Sequence, residues 1–382
     1  MMPSGSDAKL AYAPELDGLR GIAILAVMLF HTEMSIFKGG FIGVDIFFVL
    51  SGFLITSLLI QEFVATKTIS LKNFYIRRLL RLGPALMLLL ISYCIISFFF
   101  LSKEQANSNY IDAFISLIYL SNWARAFDVH PPDFLGHTWS LSIEEQFYIL
   151  WPILLLTLLR ISKNRWYVFI FTVLIALVSW LLRIHFIIND VSLIRVYNGL
   201  DTRADALMTG CALGVLLVLY PPSEMSRHSC FKWLKYLSPL AMLCLLFLVF
   251  ASDWQDFRMY YFGFSVVECL VFILILDIRL NKEGILSKLL ALKGLVWIGS
   301  ISYGLYLWHY PVYRTMFALG FGHKAVVFVG TLATFIIAMF SYFILEKPVL
   351  RLRKFFSYKS LDQNNTQMST QLPSGQTEIL KM

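Results

Sequence analysis

A chain of 382 residues that is 58% hydrophobic and 15% charged, with a mean hydropathy of +0.70, is too apolar for a soluble protein of its size and reads as an all-α, polytopic transmembrane bundle. The formal charge of +8 does not indicate nucleic acid, because Lys and Arg fall in short clusters between apolar runs, where topology signals lie. Cys94, Cys211, Cys230, Cys244 and Cys269 have no metal-ligand spacing and mostly sit in apolar runs, so they read as small core residues and no metal is expected.

Segments long enough to span run over 18–36, 41–62, 83–101, 143–159, 167–186, 203–219, 236–251, 259–277, 294–318 and 325–344, about ten in all. Lys9 and the apolar run after it look like a signal peptide, but Thr32, Glu33 and Met34 stand where small cleavage-site residues belong. The first segment is therefore expected to remain as a span. Placing both termini in the cytoplasm puts most of the 32 Lys and Arg on the cytoplasmic side. The chain then divides into a cytoplasmic N-terminal segment, 1–17, a membrane domain, 18–350, and a polar, disordered cytoplasmic tail, 351–382. Between spans three and four lies a long outer loop, 102–142. Its apolar stretch 110–127 carries Asp112 and Arg125, and as a span it would turn Arg160, Lys163 and Arg165 outward, so it reads as interfacial or re-entrant.

In the first span Arg20 and His31 are eleven residues apart, which places them within about 20° of one helical face and about 16 Å apart along the axis. One then sits near a membrane surface and the other inside, where ionisable groups usually mark a site. The second span opens with Asp45, a carboxylate that needs a cation such as His31 or a later arginine, and carries Ser51 and Gly52, small residues suited to close helix packing. Arg78 and Arg81 share a face at the entry to the third span while Arg77 points elsewhere; besides anchoring topology, they and Arg20 have the chemistry of a phosphate clamp.

The outer loop ends in His137-Thr-Trp-Ser-Leu-Ser-Ile-Glu-Glu-Gln-Phe-Tyr148. Ser142 and Glu145 have capping-box spacing, which leaves Glu144 spare, and either acid can orient a histidine such as His31 for general-base work. Asp201 and Asp205 share a stripe with Arg203 turned away, either capping the sixth span or forming an outward polar patch for sugar hydroxyls. In the ninth span Tyr306 and Tyr310 share a stripe flanked by Tyr303, and His309 adds an ionisable group at depth; Glu346-Lys-Pro348 ends the last span.

Together, Asp17-Gly-Leu-Arg20 with His31, Gly43-Val-Asp-Ile-Phe-Phe-Val-Leu-Ser-Gly-Phe53, Arg78-x-x-Arg81, Trp139-Ser-Leu-Ser-Ile-Glu-Glu-Gln-Phe147, Asp201-x-Arg203-x-Asp205, Ser302-Tyr-x-Leu-Tyr-x-x-His309-x-Pro311 and Glu346-x-Pro348 resemble the acyltransferase 3 family of bacterial integral-membrane O-acyltransferases. Seven pieces in the right order cover nearly all of the folded chain. The resemblance implies transfer of an acyl group, usually acetyl from acetyl-CoA, to a hydroxyl of a cell-envelope glycan at the bacterial inner (plasma) membrane. It carries the family's first-span arginine and histidine onto Arg20 and His31, its paired arginines onto Arg78 and Arg81, and its acidic pair onto Glu144 and Glu145. Some relatives carry an added extracytoplasmic domain; this chain resembles the stand-alone branch.

On this expectation Arg20, Arg78 and Arg81 hold the CoA phosphates, and His31 acts as base or brief acyl carrier, held by Glu144 or Glu145. Asp45, Asp201, Asp205, Tyr306 and His309 face the acceptor. Lipopolysaccharide, exopolysaccharide, peptidoglycan and small glycosylated metabolites all remain open as acceptors. The alternative is a secondary transporter or lipid-linked glycan flippase with His31, Asp45, Glu144 and His309 as a proton relay, although no internal repeat is visible.

Overall fold

A computed structural model describes residues 12–162 and 164–356; most of the expected N-terminal segment, Lys163 and the tail beyond Phe356 lie outside the described residues. Helices α1 (Pro14–Phe30), α2 (Gly43–Thr66) and α3 (Leu71–Phe100) are followed by α4 (Lys103–Leu117) and α5 (Ser121–Ala126) in the outer loop. Then come α6 (Thr138–Ile161), α7 (Arg165–Ile188), the short α8 (Leu193–Asn198), α9 (Leu200–Leu219), α10 (Pro222–Met225) and α11 (Leu234–Ala251). The rest is α12 (Phe264–Leu280), α13 (Ile285–Leu290), α14 (Lys293–Ser300), α15 (Ser302–Ala318), α16 (His323–Ala325), α17 (Thr331–Ser341) and α18 (Lys347–Leu350). Among the described residues there is no strand.

Eight helical stretches among the described residues are long and apolar enough to cross a membrane, and they match eight of the ten expected segments. The other two differ in form. The first expected span, 18–36, is a 17-residue helix that begins earlier, at Pro14, and stops at His31. Pro14 fits the first helical turn, Glu15 and Asp17 complement its dipole, and beyond its end Thr32 Oγ1 donates to Leu29 O at 2.6 Å before Glu33 takes a left-handed φ of 57°. The ninth, 294–318, is broken at Ile301 into α14 and α15. The doubtful 110–127 stretch does not span. Tyr119, at φ 56°, separates α4 from α5, and Asp112 accepts from the Asp133 N–H at 3.3 Å and meets His130 Nε2 at 2.9 Å, which folds the outer loop back on itself. Of the cysteines, Cys211 is buried as expected, whereas Cys269 is exposed on the outside of α12.

Helix packing in lipid cannot draw on a hydrophobic difference between bilayer and protein, so it depends on close approach and on polar contacts. Both converge on α2 and α9. A Cβ added to Gly52 would stand 1.9 Å from Leu207 O, and one on Gly210 would stand 2.0 Å from Val49 O, so the two backbones touch where only hydrogen fits. The stretch containing α2 is 78% buried and that containing α9 72%, whereas α7 and the last span are each 22% buried and present their apolar side chains outward as a rim. Trp151 Nε1 of α6 donates to Thr56 Oγ1 of α2 at 2.8 Å, and Tyr303 of α15 donates to Leu82 O of α3 at 2.9 Å, closing a second layer around this pair.

Gly52→Val forces a side chain into the Leu207 carbonyl, and overpacking of this kind costs about 1–3 kcal/mol. The expected result is a lower melting temperature and less monodisperse protein in detergent. Gly294→Ala, with nothing within 4 Å of the added carbon, should melt like the parent.

Candidate active site

Two cavities lie end to end inside the bundle. The inner one, of about 80 Å³, is lined by Arg20 of α1, Arg78 and Arg81 of α3, and Glu144 of α6, with an apolar side formed by Phe47, Phe48 and Leu141. Arg78 and Arg81 are one helical turn apart and reach it together, as their spacing requires. Arg20 rests on Asp17 at 3.2 Å, and Arg78 lies 4.1 Å over the Tyr148 ring, while neither Arg78 nor Arg81 forms an ion pair among the described residues. Glu144 Oε1 accepts from Ser51 Oγ at 2.7 Å, and Ser51 in turn accepts from Tyr148 at 2.9 Å. Three guanidinium groups thus face one small volume with a single carboxylate on its wall, an arrangement suited to a polyanion. Arg77 is indeed elsewhere, on Glu62 at 3.1 Å.

The outer cavity is larger, about 520 Å³, and is lined by His31, Arg125, His137, Tyr197, Asn198 and Tyr310 among others. His31 Nδ1 lies 3.1 Å from Val27 O and 3.0 Å from His309 Nε2. His137 stacks on Tyr310 with ring centroids 5.1 Å apart, and Tyr310 meets His31 edge-on at 4.9 Å. Arg125 Nε donates to Asn198 Oδ1 at 3.3 Å. Val44 and Tyr306 line both cavities. The Tyr306 hydroxyl donates to His137 O at 2.7 Å and also meets Ser140 Oγ. Tyr306 and Val44 thus stand where the two cavities adjoin.

Several placements correct the sequence reading. Glu144 and Glu145 do not hold His31. Helix α6 begins at Thr138 with His137 in the cap position, so Glu144 lies about 9 Å down the axis from the outer end, beside the arginines. The Ser142–Glu145 capping box is absent for the same reason: Ser142 Oγ donates to Thr138 O at 3.0 Å, and Glu145 lies inside the helix with Oε1 buried and unpaired. The partner of His31 is His309. Asp45, Asp201 and Asp205 present no open patch, since each carries an arginine: Asp45 takes Arg203 at 2.5 Å, Asp201 takes Arg195 at 2.6 Å, and Asp205 takes Arg183 at 2.5 Å. None of the three lines either cavity.

His137, Arg125 and the hydroxyl of Ser51 escaped the sequence reading as site residues. His137 stood at the head of the quoted outer-loop stretch, and Arg125 was noticed only as a charge that argued against a span. Ser51 was absorbed into helix packing beside Gly52, which does pack as expected.

The fold and its cavities define a multi-pass helical membrane protein with an anion-receptive chamber beneath a histidine-lined one. The acyltransferase-domain family profile matches residues 14–345, and the chain belongs to the acyltransferase 3 family. It is similar to the peptidoglycan O-acetyltransferase OatA of Listeria monocytogenes, 38% identical over 360 residues that cover 91% of this chain and 57% of that protein. It is also similar to the O-acetyltransferase OatA of Staphylococcus aureus strain MRSA252, 35% identical over 94% of this chain and 60% of the relative. A putative O-acetyltransferase of S. aureus strain COL is 36% identical over 89% of this chain and 58% of its own length. The chain therefore spans less than two thirds of the length of these relatives. No solved structure matches it.

Removing one member of a buried ion pair strands the other, at a cost of about 3–5 kcal/mol, whereas replacing both by apolar groups is often neutral. Arg203→Ala should therefore abolish stable folding in detergent, and the double change Arg203→Met with Asp45→Leu should recover most of the melting temperature.

Proposed function

We propose that this protein is a membrane O-acetyltransferase that takes acetyl from acetyl-CoA on the cytoplasmic side and passes it toward a hydroxyl of a cell-wall glycan on the outer side. The observation that carries the reading is the stacking of the two cavities, three guanidiniums below and His31 with His137 above, with Tyr306 between. CoA brings three phosphates, and Arg20, Arg78 and Arg81 supply planar, permanently charged donors for them. The positive-inside rule supports cytoplasmic termini, since that orientation puts most of the 32 Lys and Arg on the cytoplasmic side.

In this reading His31 is the general base. It takes the proton of the acceptor hydroxyl, the oxygen attacks the acyl carbonyl, the C–S bond breaks, and the CoA thiolate leaves and recovers the proton. Tyr306 and Val44 stand where the acyl group has to pass from one chamber to the other. Glu144 belongs with the donor, balancing the arginines rather than the imidazole. Peptidoglycan is the acceptor favoured among the four left open, because the Listeria relative carries it in its name. A transporter relay gains no support from the geometry: Asp45 is locked on Arg203 and Glu144 on Ser51, both apart from the His31–His309 pair.

The test is purified protein in proteoliposomes given radiolabelled acetyl-CoA and a muropeptide-bearing glycan. His31→Ala is expected to lower turnover by about 10²- to 10⁴-fold with normal protein levels. Arg78→Ala and Arg81→Ala are expected to raise the KM for acetyl-CoA at least tenfold. Full activity in His31→Ala removes the base from the scheme, and unchanged acetyl-CoA affinity in both arginine variants returns those residues to topology signals.

A further inference from the structure

His309 sits at the centre of a hydrogen-bond chain whose polarity is fixed from one end. Its Nδ1 lies 3.1 Å from Leu305 O, and a carbonyl oxygen only accepts, so Nδ1 carries the hydrogen. A neutral imidazole with hydrogen on Nδ1 has a bare Nε2. That bare nitrogen is 3.0 Å from His31 Nδ1, which must then be the donor. Val27 O, 3.1 Å from the same His31 Nδ1, is also an acceptor and agrees. The chain leaves His31 Nε2 as the ring nitrogen with a free lone pair and no partner among the described residues, and His31 lines the 520 Å³ chamber.

We infer that His309 is a positioning residue for His31, fixing its tautomer and ring orientation so that Nε2 is the base, and receiving its charge when that base is protonated. This rests on the reading of His31 as the general base. The part is the one a carboxylate plays for the histidine of a hydrolase triad. When an acceptor proton reaches Nε2, the Nδ1 hydrogen of His31 already points at a lone pair that can share it; Val27 O holds the ring but cannot take a proton. His309 is fully buried, lines neither cavity, and is surrounded by the rings of Tyr306, Tyr310, Tyr313 and His137, so it is placed to act through His31 and not on substrate. The charged groups on the chamber wall that His31 lines are Arg125, Glu33 and Lys38. None of the described carboxylates hydrogen-bonds either ring, which leaves the second histidine as the group that serves that purpose.

The experiment uses full-length protein in proteoliposomes with acetyl-CoA as the probe, comparing His309→Ala, His309→Gln and His31→Ala. His309→Ala should lower kcat by about 10- to 100-fold, the usual loss when the partner that orients a functional histidine is removed, while the KM for acetyl-CoA stays within about twofold. His309→Gln, whose amide oxygen can still accept from His31 Nδ1, should recover most of that loss. In ¹⁵N-histidine-labelled wild type, the signal lost in His31→Ala should report hydrogen on Nδ1 and a bare Nε2. A wild-type kcat in His309→Ala, no recovery in His309→Gln, or the opposite tautomer at His31 overturns the inference alone. Full activity in His31→Ala overturns the base assignment beneath it.

Discussion

Two buried ion pairs organise the bundle. Arg203 of α9 meets Asp45 of α2, and Arg183 of α7 meets Asp205 of α9 while donating to Tyr260 O at 3.0 Å and Thr202 O at 2.8 Å. Arg203 also lies 3.8 Å over the Phe264 ring of α12. Charges this far from water are tolerated only when paired and surrounded by further donors and acceptors, so each pair admits one register of its helices. Lipid-facing apolar side chains would allow α2, α7 and α9 to slide or rotate at little cost; these contacts do not. They hold α2 where Val44, Phe48 and Ser51 reach the chambers, and the glycine contact between α2 and α9 lets the backbones come close enough for the charges to meet.

With that frame fixed, the two chambers acquire opposite chemistry. Permanent positive charge collects at the inner one, where Arg78 and Arg81 form no ion pair among the described residues. The outer one holds histidine and tyrosine rings with exchangeable protons, with Arg125, Glu33 and Lys38 on the same wall. In the proposed reaction a phosphate-bearing donor and a sugar hydroxyl make those two demands. The pairing of Glu144 with Ser51, and not with a histidine, keeps the negative charge where it offsets repulsion among the guanidiniums.

Much of this was legible from residue order. Apolar run lengths located the spans, the Arg20–His31 interval placed one residue at each chamber, and the Arg78-x-x-Arg81 spacing put both guanidiniums on one face. Asp45 was expected to need a cation, and it has one. What sequence could not supply was depth across different helices. Moving the start of α6 up to Thr138 carries Glu144 away from His31, and no local pattern fixes that start, because His137 caps the helix without a side-chain hydrogen bond. The aspartates at the sixth expected span looked open because their partners, Arg195 of α8 and Arg183 of α7, come from the helices before it, while Arg203 between them turns to Asp45 of α2. His309 drew notice as a charge at depth, but its bond to a residue 278 positions away is a product of the fold alone.

The partition between the chambers has two unlike edges. Val44 belongs to α2, clamped by salt bridge and by backbone contact, so it is a fixed jamb. Tyr306 belongs to α15, which follows α14 after a one-residue break at Ile301, carries Pro311 within it, and packs on a last span interrupted by π-turns at Val326–Gly330 and Tyr342–Glu346. That edge is held by hydrogen bonds, from Tyr306 to His137 O and Ser140 and from Tyr303 to Leu82 O. The partition is thus pinned by buried charge along one edge and by neutral hydrogen bonds along the other.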